Sequence, residues 1–191
     1  TTALLYGDVN PSGKLTQTFP VSEARTPFYG NAAQYPGVNN VVSYSEGLDI
    51  GYRWYARHKV ATAFPFGHGL SYTTFAVTDV AATQVGDTVK ATMTVTNTGD
   101  RSGSEVVQVY AGPSVDTDAD QPITKLVGFA KVEVAAGASR TVEIGIDPHQ
   151  FEYWDADTDA WRFAAGTRRL TVGTSAAEAD AVAKVSVDLV D

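Results

Sequence analysis

Apolar and polar residues alternate along much of the chain after residue 72. The alternation is clearest in ATMTVTN (91–97), EVVQVYA (105–111) and RTVEIGI (140–146). Successive side chains of a strand point to opposite faces, so a period of two predicts strands with one buried face. The same pattern, less regular in places, recurs at residues 75–83, 131–135, 168–173 and 183–190.

Turn-forming sequences separate these predicted strands. NTGDRSG (97–103), AAGAS (135–139) and FAAGT (163–167) are rich in glycine and small polar residues. FEYWD (151–155) and AWRFA (160–164) bracket ADTD and predict a hairpin. Seven to nine short strands in about 115 residues, with no sustained helical period, predict an immunoglobulin-like or fibronectin type III-like β-sandwich, a mostly β fold.

The first 72 residues have a different pattern. TTALLYGD is typical of a helix end before the turn NPSG, and LTQTFP (15–20) predicts a short strand. Residues 20–45 have no sustained period, and residues 46–60 fit either a strand or a helix face. So long an irregular stretch is uncommon in a compact domain, and its many aromatic residues argue against disorder. The segment is therefore expected to lie against the sandwich or against a body outside this chain.

Charge divides the chain at the same place. Residues 1–72 carry five basic and four acidic side chains, whereas residues 73–191 carry nine and eighteen. The net charge of −8 argues against nucleic acid and anionic membrane surfaces as partners. No apolar run approaches a membrane span, no signal peptide is evident, and the compartment is left undecided. The absence of cysteine excludes disulfides and thiol chemistry.

No metal or cofactor motif is present. The histidines, His58, His68 and His149, are widely spaced. Asp155, Asp157 and Asp159 resemble the opening of a calcium loop, but the sixth and twelfth positions, which require glycine and glutamate, hold Ala160 and Gly166. These aspartates, and the acidic run at residues 116–121, are therefore interpreted as solvated turns, and no cofactor is expected.

Two groups of side chains raise the question of catalysis. His68, Asp49 and Ser71 contain the residue types of a hydrolytic triad, but the nucleophile elbow GxSxG is absent. Glu46 and Asp49 are the best candidates for paired carboxylates in the first segment. A structural carboxylate satisfied by Arg53 or by backbone amides is favoured over a catalytic one.

His68 also lies in FPFGHGLSYTTF (64–75), where composition, charge and strand pattern all change. Pro65 fixes φ, Gly67 and Gly69 permit unusual backbone conformations, and the flanking aromatic residues can act as anchors. The string is interpreted as a packed joint that leads into the first strand of the sandwich.

Six motifs occur in one order and together resemble a known family. They are GDVNPSGKLTQTFP (7–20), YSEGLDIGYRWY (44–55), FPFGHGLSYTTF (64–75), VTNTGDRSGSEVVQVY (95–110), KLVGF (125–129) and the closing W…AAGTRRLTVGTS (161–175). The series resembles the C-terminal region of glycoside hydrolase family 3, the β-glucosidase and β-xylosidase type. Gln121 departs from the family pattern, which commonly has arginine there; any contact made by that arginine is in doubt.

The resemblance implies a division of the chain. Residues 1–20 would be the end of an α/β sandwich domain, with its last helix and strand. Residues 21–70 would be an extended linker crossing the enzyme body, and residues 71–191 the fibronectin type III-like β-sandwich. The partner would be the remainder of the parent enzyme, its barrel and α/β sandwich domains, through which the chain meets a β-glucoside or β-xyloside.

The same resemblance places the nucleophile and the acid/base of this retaining glycosidase upstream of residue 1. No residue of this chain is therefore assigned a catalytic, substrate-binding or metal-binding role, and the isolated chain is predicted to be inactive. Its expected function is to stabilise the catalytic domains and to border the substrate cleft. Exposed apolar surface on residues 1–70 would favour self-association or continued binding to the parent.

A second hypothesis is a free-standing carbohydrate- or protein-binding β-sandwich module. Exposed aromatic platforms would favour it, and Trp54, Trp154 and Trp161 are the candidates. Packing in a core or an interface is the commoner position for tryptophan.

Overall fold

A computed structural model describes residues 2–190 of the chain. Its first segment has little regular structure: helix α1 (Thr2–Leu5), helix α2 (Tyr52–His58), and a ribbon of strands β1 (Phe19–Pro20) and β2 (Thr62–Phe64). The strand predicted over residues 15–20 is thus limited to its last two residues. Residues 46–60, for which strand and helix were both open, contain α2. None of the helices described is long and apolar enough to cross a membrane.

The rest of the chain is built from strands. They are β3 (Phe75–Val85), β4 (Thr88–Asn97), β5 (Gly103–Ala111), β6 (Lys125–Val134), β7 (Ser139–Ile146), β8 (Glu152–Asp155), β9 (Ala160–Phe163), β10 (Gly166–Gly173) and β11 (Ala181–Leu189). Seven of them form two antiparallel sheets, in the orders β3-β4-β7 and β11-β10-β5-β6. Strands β8 and β9 form the predicted hairpin. The predicted β-sandwich is confirmed.

The alternating pattern places one face of each central strand in the core between the sheets. On β4 these inward residues are Val89, Ala91, Met93 and Val95, all at most 2% exposed. They pack in one cluster with apolar residues of the opposite sheet, including Leu170 of β10. Full burial of such a side chain contributes about 1.5–3 kcal/mol, so this cluster is the main source of the sandwich's stability.

Strand β5 departs from the expected alternation, because both of its faces are buried. Val107 and Val109 face the core, as the pattern predicts. Gln108 and Tyr110 point to the outer face of the four-stranded sheet, yet each is only 3% exposed. The material that covers this outer face comes from residues 2–72 and forms the site described next.

Candidate functional site

The segment FPFGHGLSYTTF (64–75) packs on the outer face of β5, and we call it the joint. Its centre is Gly67, which is buried and has a φ of +81°. A Cβ atom on Gly67 would collide with the side-chain amide of Gln108. Glycine is therefore required at position 67 for two reasons, the left-handed backbone and the close approach to β5.

Gln108 connects the joint to two other parts of the chain. Its Nε2 atom donates to the carbonyl of Thr174 at 2.7 Å and to the carbonyl of Gly67 at 3.3 Å. Its Oε1 atom accepts a hydrogen bond from the Tyr110 hydroxyl at 2.5 Å. Burial raises the pKa of the Tyr110 phenol above its ordinary value, and the neighbouring Tyr52 adds to the rise. This buried polar network has its hydrogen bonds satisfied, so it fixes one orientation of the joint.

Aromatic rings extend the contact towards α2. The ring of Tyr52 stacks on Phe66 with centroids 4.9 Å apart and meets Tyr110 edge-on at 5.8 Å. The Tyr52 hydroxyl accepts a hydrogen bond from the backbone N–H of Leu126 at 2.8 Å. Helix α2 is thereby held to both β5 and β6.

Asn10 of the NPSG turn joins the start of the chain to the same place. Its Oδ1 atom accepts from the Ser71 hydroxyl at 3.0 Å and from the Tyr72 N–H at 2.8 Å. Its Nδ2 atom donates to the carbonyl of Ser102 at 3.1 Å. Two backbone bonds of 2.8 Å, from Leu15 N–H to the His68 carbonyl and from Gly67 N–H to the Leu15 carbonyl, run alongside. The joint therefore holds the first segment and the sandwich together.

The structure does not bring the triad candidates into hydrogen-bond contact. The Ser71 hydroxyl is used by Asn10, and the Asp49 carboxylate forms an ion pair with Arg57. His68 packs its ring 5.2 Å from that of Phe64. His68 is thus a residue of the joint, as the packed-joint interpretation expects.

The prediction that Arg53 or backbone amides satisfy the Glu46 carboxylate was wrong. Its carboxylate accepts a hydrogen bond from Gln34 at 2.8 Å, and Arg53 instead reaches the carbonyl of Leu48. Helix α2 begins at Tyr52, so Arg53 lies in its first turn. The carboxylates of Glu46 and Asp49 each have a protein partner, and among the described residues no hydrogen bond or shared base links the two carboxylates. Their direct link is a backbone hydrogen bond, from the Asp49 N–H to the Glu46 carbonyl at 3.1 Å.

The acidic turns bind backbone N–H groups, either in the same turn or in another part of the chain. The Asp155 carboxylate accepts from the Asp157 N–H at 3.0 Å, from the Thr158 hydroxyl at 2.7 Å and from Arg162 at 3.3 Å. The Thr158 hydrogen bond holds the pKa of Asp155 below its ordinary value. In the other acidic run, Asp116 accepts from the Thr167 N–H at 3.0 Å. Within residues 2–190, no group of three or more histidine and acidic side chains is placed to bind a metal ion.

Sequence reasoning missed Arg168, which is 4% exposed beneath the hairpin. Its guanidinium donates to the carbonyls of Gly112 at 3.0 Å, Ala164 at 3.1 Å and Phe151 at 3.2 Å. Burial lowers its pKa to about 10. No ion pair involves Arg168 in the described part of the chain. Backbone carbonyls therefore solvate a buried cation, an arrangement that no local sequence pattern signals.

The surface of residues 2–72 away from the joint is unusually apolar. Among residues 2–190, twenty-six large apolar side chains are exposed; eighteen of them fall in residues 2–72, and fifteen of these lie outside the joint. Tyr44 is 83% exposed, Tyr6 is 81% exposed and Leu5 is 77% exposed. Exposed apolar surface of this kind is typical of a contact site.

The sandwich and the joint define a fibronectin type III-like domain that carries an apolar N-terminal extension. Comparison with known families identifies both parts. Residues 105–176 match the fibronectin type III-like domain, and residues 1–72 match the glycosyl hydrolase family 3 C-terminal domain. The chain belongs to glycoside hydrolase family 3 and corresponds to the C-terminal region of its β-glucosidases.

Individual relatives agree with the family. A probable β-glucosidase I from Aspergillus clavatus is 42% identical, over 88% of this chain and 21% of its own. An exo-α-(1→6)-L-arabinopyranosidase from Bifidobacterium longum is 41% identical, over 94% of this chain and 24% of its own. A β-glucosidase from Streptomyces venezuelae, solved as a crystal structure, is 46% identical in sequence. The match covers 98% of this chain and 24% of the β-glucosidase chain, with a TM-score of 0.94. The chain thus spans about a fifth to a quarter of these relatives.

Proposed function

We propose that this chain is the non-catalytic C-terminal part of a retaining β-glycosidase and holds the catalytic domains in place. The observation that carries the proposal is the apolar surface of residues 2–72. The catalytic remainder of the parent is the natural cover for this surface, since the relatives are four to five times longer than the matched region. One edge of the covered segment would border the substrate cleft.

The division into residues 1–20, 21–70 and 71–191 is part of this proposal. In it, the first range completes an α/β sandwich domain, the second crosses the enzyme body, and the third is the fibronectin type III-like sandwich. The joint supports such an arrangement, because Tyr72 of the joint donates to Asn10 and Gly67 of the joint accepts a buried hydrogen bond from Gln108. The sandwich is then attached to the catalytic body at a fixed angle.

The chemistry of the parent would be supplied outside this chain. A retaining glycosidase needs two carboxyl groups about 5 Å apart across the scissile bond. Glu46 and Asp49 are instead engaged by Gln34 and Arg57. The parent would hydrolyse terminal β-linked glucose or xylose. The choice of sugar would also lie elsewhere, because a β-glucosidase and an arabinopyranosidase are almost equally similar to this chain.

Complementation of a truncated relative tests the proposal. The Streptomyces venezuelae β-glucosidase would be cut to remove the quarter that matches this chain, and the present chain would be added. We expect the chain to raise both the melting temperature and the hydrolysis of aryl β-glucosides. Tyr44→Asp, on the apolar surface, should abolish the gain, whereas Phe129→Asp, at a 65% exposed position of the sandwich, should retain it.

Two measurements on the chain alone complete the test. Assays on aryl β-glucosides and β-xylosides at high protein concentration should show no turnover; turnover lost in Glu46→Gln would contradict the proposal. Gel filtration should show self-association through the uncovered apolar surface. If the chain were a monomer and its residues 2–70 resisted protease, the proposal that another part of the parent covers this surface would be contradicted.

A further inference from the structure

The hairpin β8–β9 presents two tryptophan side chains to solvent. Trp154 and Trp161 are directly opposed across the two strands, and their rings meet edge to face with centroids 5.5 Å apart and an interplanar angle of 75°. They are 50% and 64% exposed. Tryptophan is usually well covered in folded proteins, so an adjacent pair at this exposure needs a reason.

The hairpin is fixed at its tip. The carboxylate of Asp155 is held by Thr158 and by Arg162, and it caps the turn by accepting from the Asp157 N–H. These bonds are local to the connection between β8 and β9. The turn therefore sets the relative position of the two strands that carry the indole rings.

The hairpin is also fixed at its base. Phe151 is 2% exposed and belongs to the core, and Phe163 packs against that core. The buried Arg168 donates to the carbonyls on either side of the hairpin, at Phe151 and Ala164. The two tryptophans are therefore presented on a rigid support, which reduces the entropy lost when a ligand binds.

The surroundings of the pair indicate the chemistry of the ligand. Glu152, Asp155, Asp157 and Asp159 lie on or beside the hairpin, within residues 73–191, which carry nine basic and eighteen acidic side chains. Glu152 is paired with His149, and Asp155 with Arg162. Such a surface repels nucleic acids and other polyanions. The negative face of an indole ring attracts the C–H face of a pyranose, and the carboxylates of Asp157 and Asp159 in the turn can accept hydrogen bonds from its hydroxyl groups.

We propose that Trp154 and Trp161 form a binding platform for a neutral β-linked oligosaccharide or polysaccharide chain. One sugar ring stacks on the exposed face of one indole, and the edge of the second indole borders it. This site would let the sandwich hold a glucan or xylan chain by itself. The β-linkage of the ligand rests on the proposed function, whereas the platform itself depends on the hairpin alone and does not require residues 2–72 to contact a catalytic body.

Binding of cellohexaose, of xylohexaose and of soluble mixed-linkage β-glucan by the whole chain tests the platform. Isothermal titration should give saturable binding of at least one hexaose, and the glucan should retard the chain in affinity gel electrophoresis. Trp154→Ala and Trp161→Ala should each weaken binding about tenfold or more. Trp161→Tyr, which keeps an aromatic ring, should retain part of the affinity.

Phe129→Ala is the matched control, because it removes a 65% exposed aromatic ring from a different strand of the same domain. It should leave binding unchanged, and circular dichroism should show every variant to be folded. Absence of saturation and of retardation would overturn the proposal, as would equal binding by the wild type and both alanine variants. A Trp154→Ala variant that converts an oligomer into a monomer would show a protein surface as the occupant instead.

Discussion

Replacing Gly67 with alanine tests whether the joint is packed as tightly as its geometry indicates. Two effects are expected from the added Cβ atom. The φ of +81° lies in the left-handed region, where a Cβ raises the energy of the backbone by roughly 1–2 kcal/mol. The atom would also displace the Gln108 amide and leave buried polar groups without partners, at about 1–3 kcal/mol. We expect Gly67→Ala to lower the free energy of unfolding by about 3 kcal/mol.

Gly137 provides a matched control for the backbone effect. It has a φ of +67° in the turn between β6 and β7, and a Cβ there would meet nothing within 4 Å. Gly137→Ala should therefore lower the free energy of unfolding by only about 1 kcal/mol. The difference between the two variants isolates the packing of the joint against β5.

Urea unfolding followed by circular dichroism measures both variants. Limited proteolysis provides a second readout, because a displaced joint should expose residues 21–63 to cleavage in Gly67→Ala only. Losses in stability that agree within about 0.5 kcal/mol, with equal protease resistance, would refute the reasoning. The Gly67 position would then be restricted by its φ angle alone.

Two further variants test the buried polar groups. Tyr110→Phe leaves the Oε1 atom of Gln108 without its donor and should lower the free energy of unfolding at pH 7 by about 1–2 kcal/mol. Burial raises the folded-state pKa of Tyr110, so the phenol stabilises the folded state fully below pH 10 and progressively less above it. The difference in free energy of unfolding between the wild type and Tyr110→Phe should therefore shrink by about 1.4 kcal/mol per pH unit above pH 10. A difference that stays constant in urea titrations from pH 9 to 11 would contradict this. Arg168→Lys should cost about 2–3 kcal/mol, because an ammonium group cannot reach all three carbonyls, and a melting temperature equal to wild type would contradict it.

The sandwich could be predicted from the sequence because each strand's pattern follows from its own burial. The alternation in residues 91–97 and 140–146 reports one face in the core, and β4 and β7 have that arrangement. The hairpin was also predictable, because its two strands flank a short acidic turn. In these elements the local pattern and the tertiary structure agree.

Strand β5 shows why the site was less predictable than the fold. A period of two predicts that Gln108 of EVVQVYA faces solvent, whereas it is 3% exposed. Its cover comes from Gly67, forty-one residues earlier, and no periodicity connects the two positions. The location of the joint could be inferred from the change in composition near residue 72. The partners of the joint could not, because they depend on the packing of one segment across another.

Polar contacts explain why the joint can fix the angle between the sandwich and the segment that leads into it, and does not only connect the two. Apolar rings such as Phe66 and Tyr52 attract each other in many relative positions, since the hydrophobic effect has no direction. The hydrogen bonds of Gln108 and Asn10 are directional, those of Gln108 are buried or partly buried, and sliding the joint by one residue would break several of them together. Leaving those groups unsatisfied would be more costly than the gain from any alternative apolar contact. The sandwich and the segment that leads into it are therefore expected to move as one body, which is the property required of a part that holds larger domains in place.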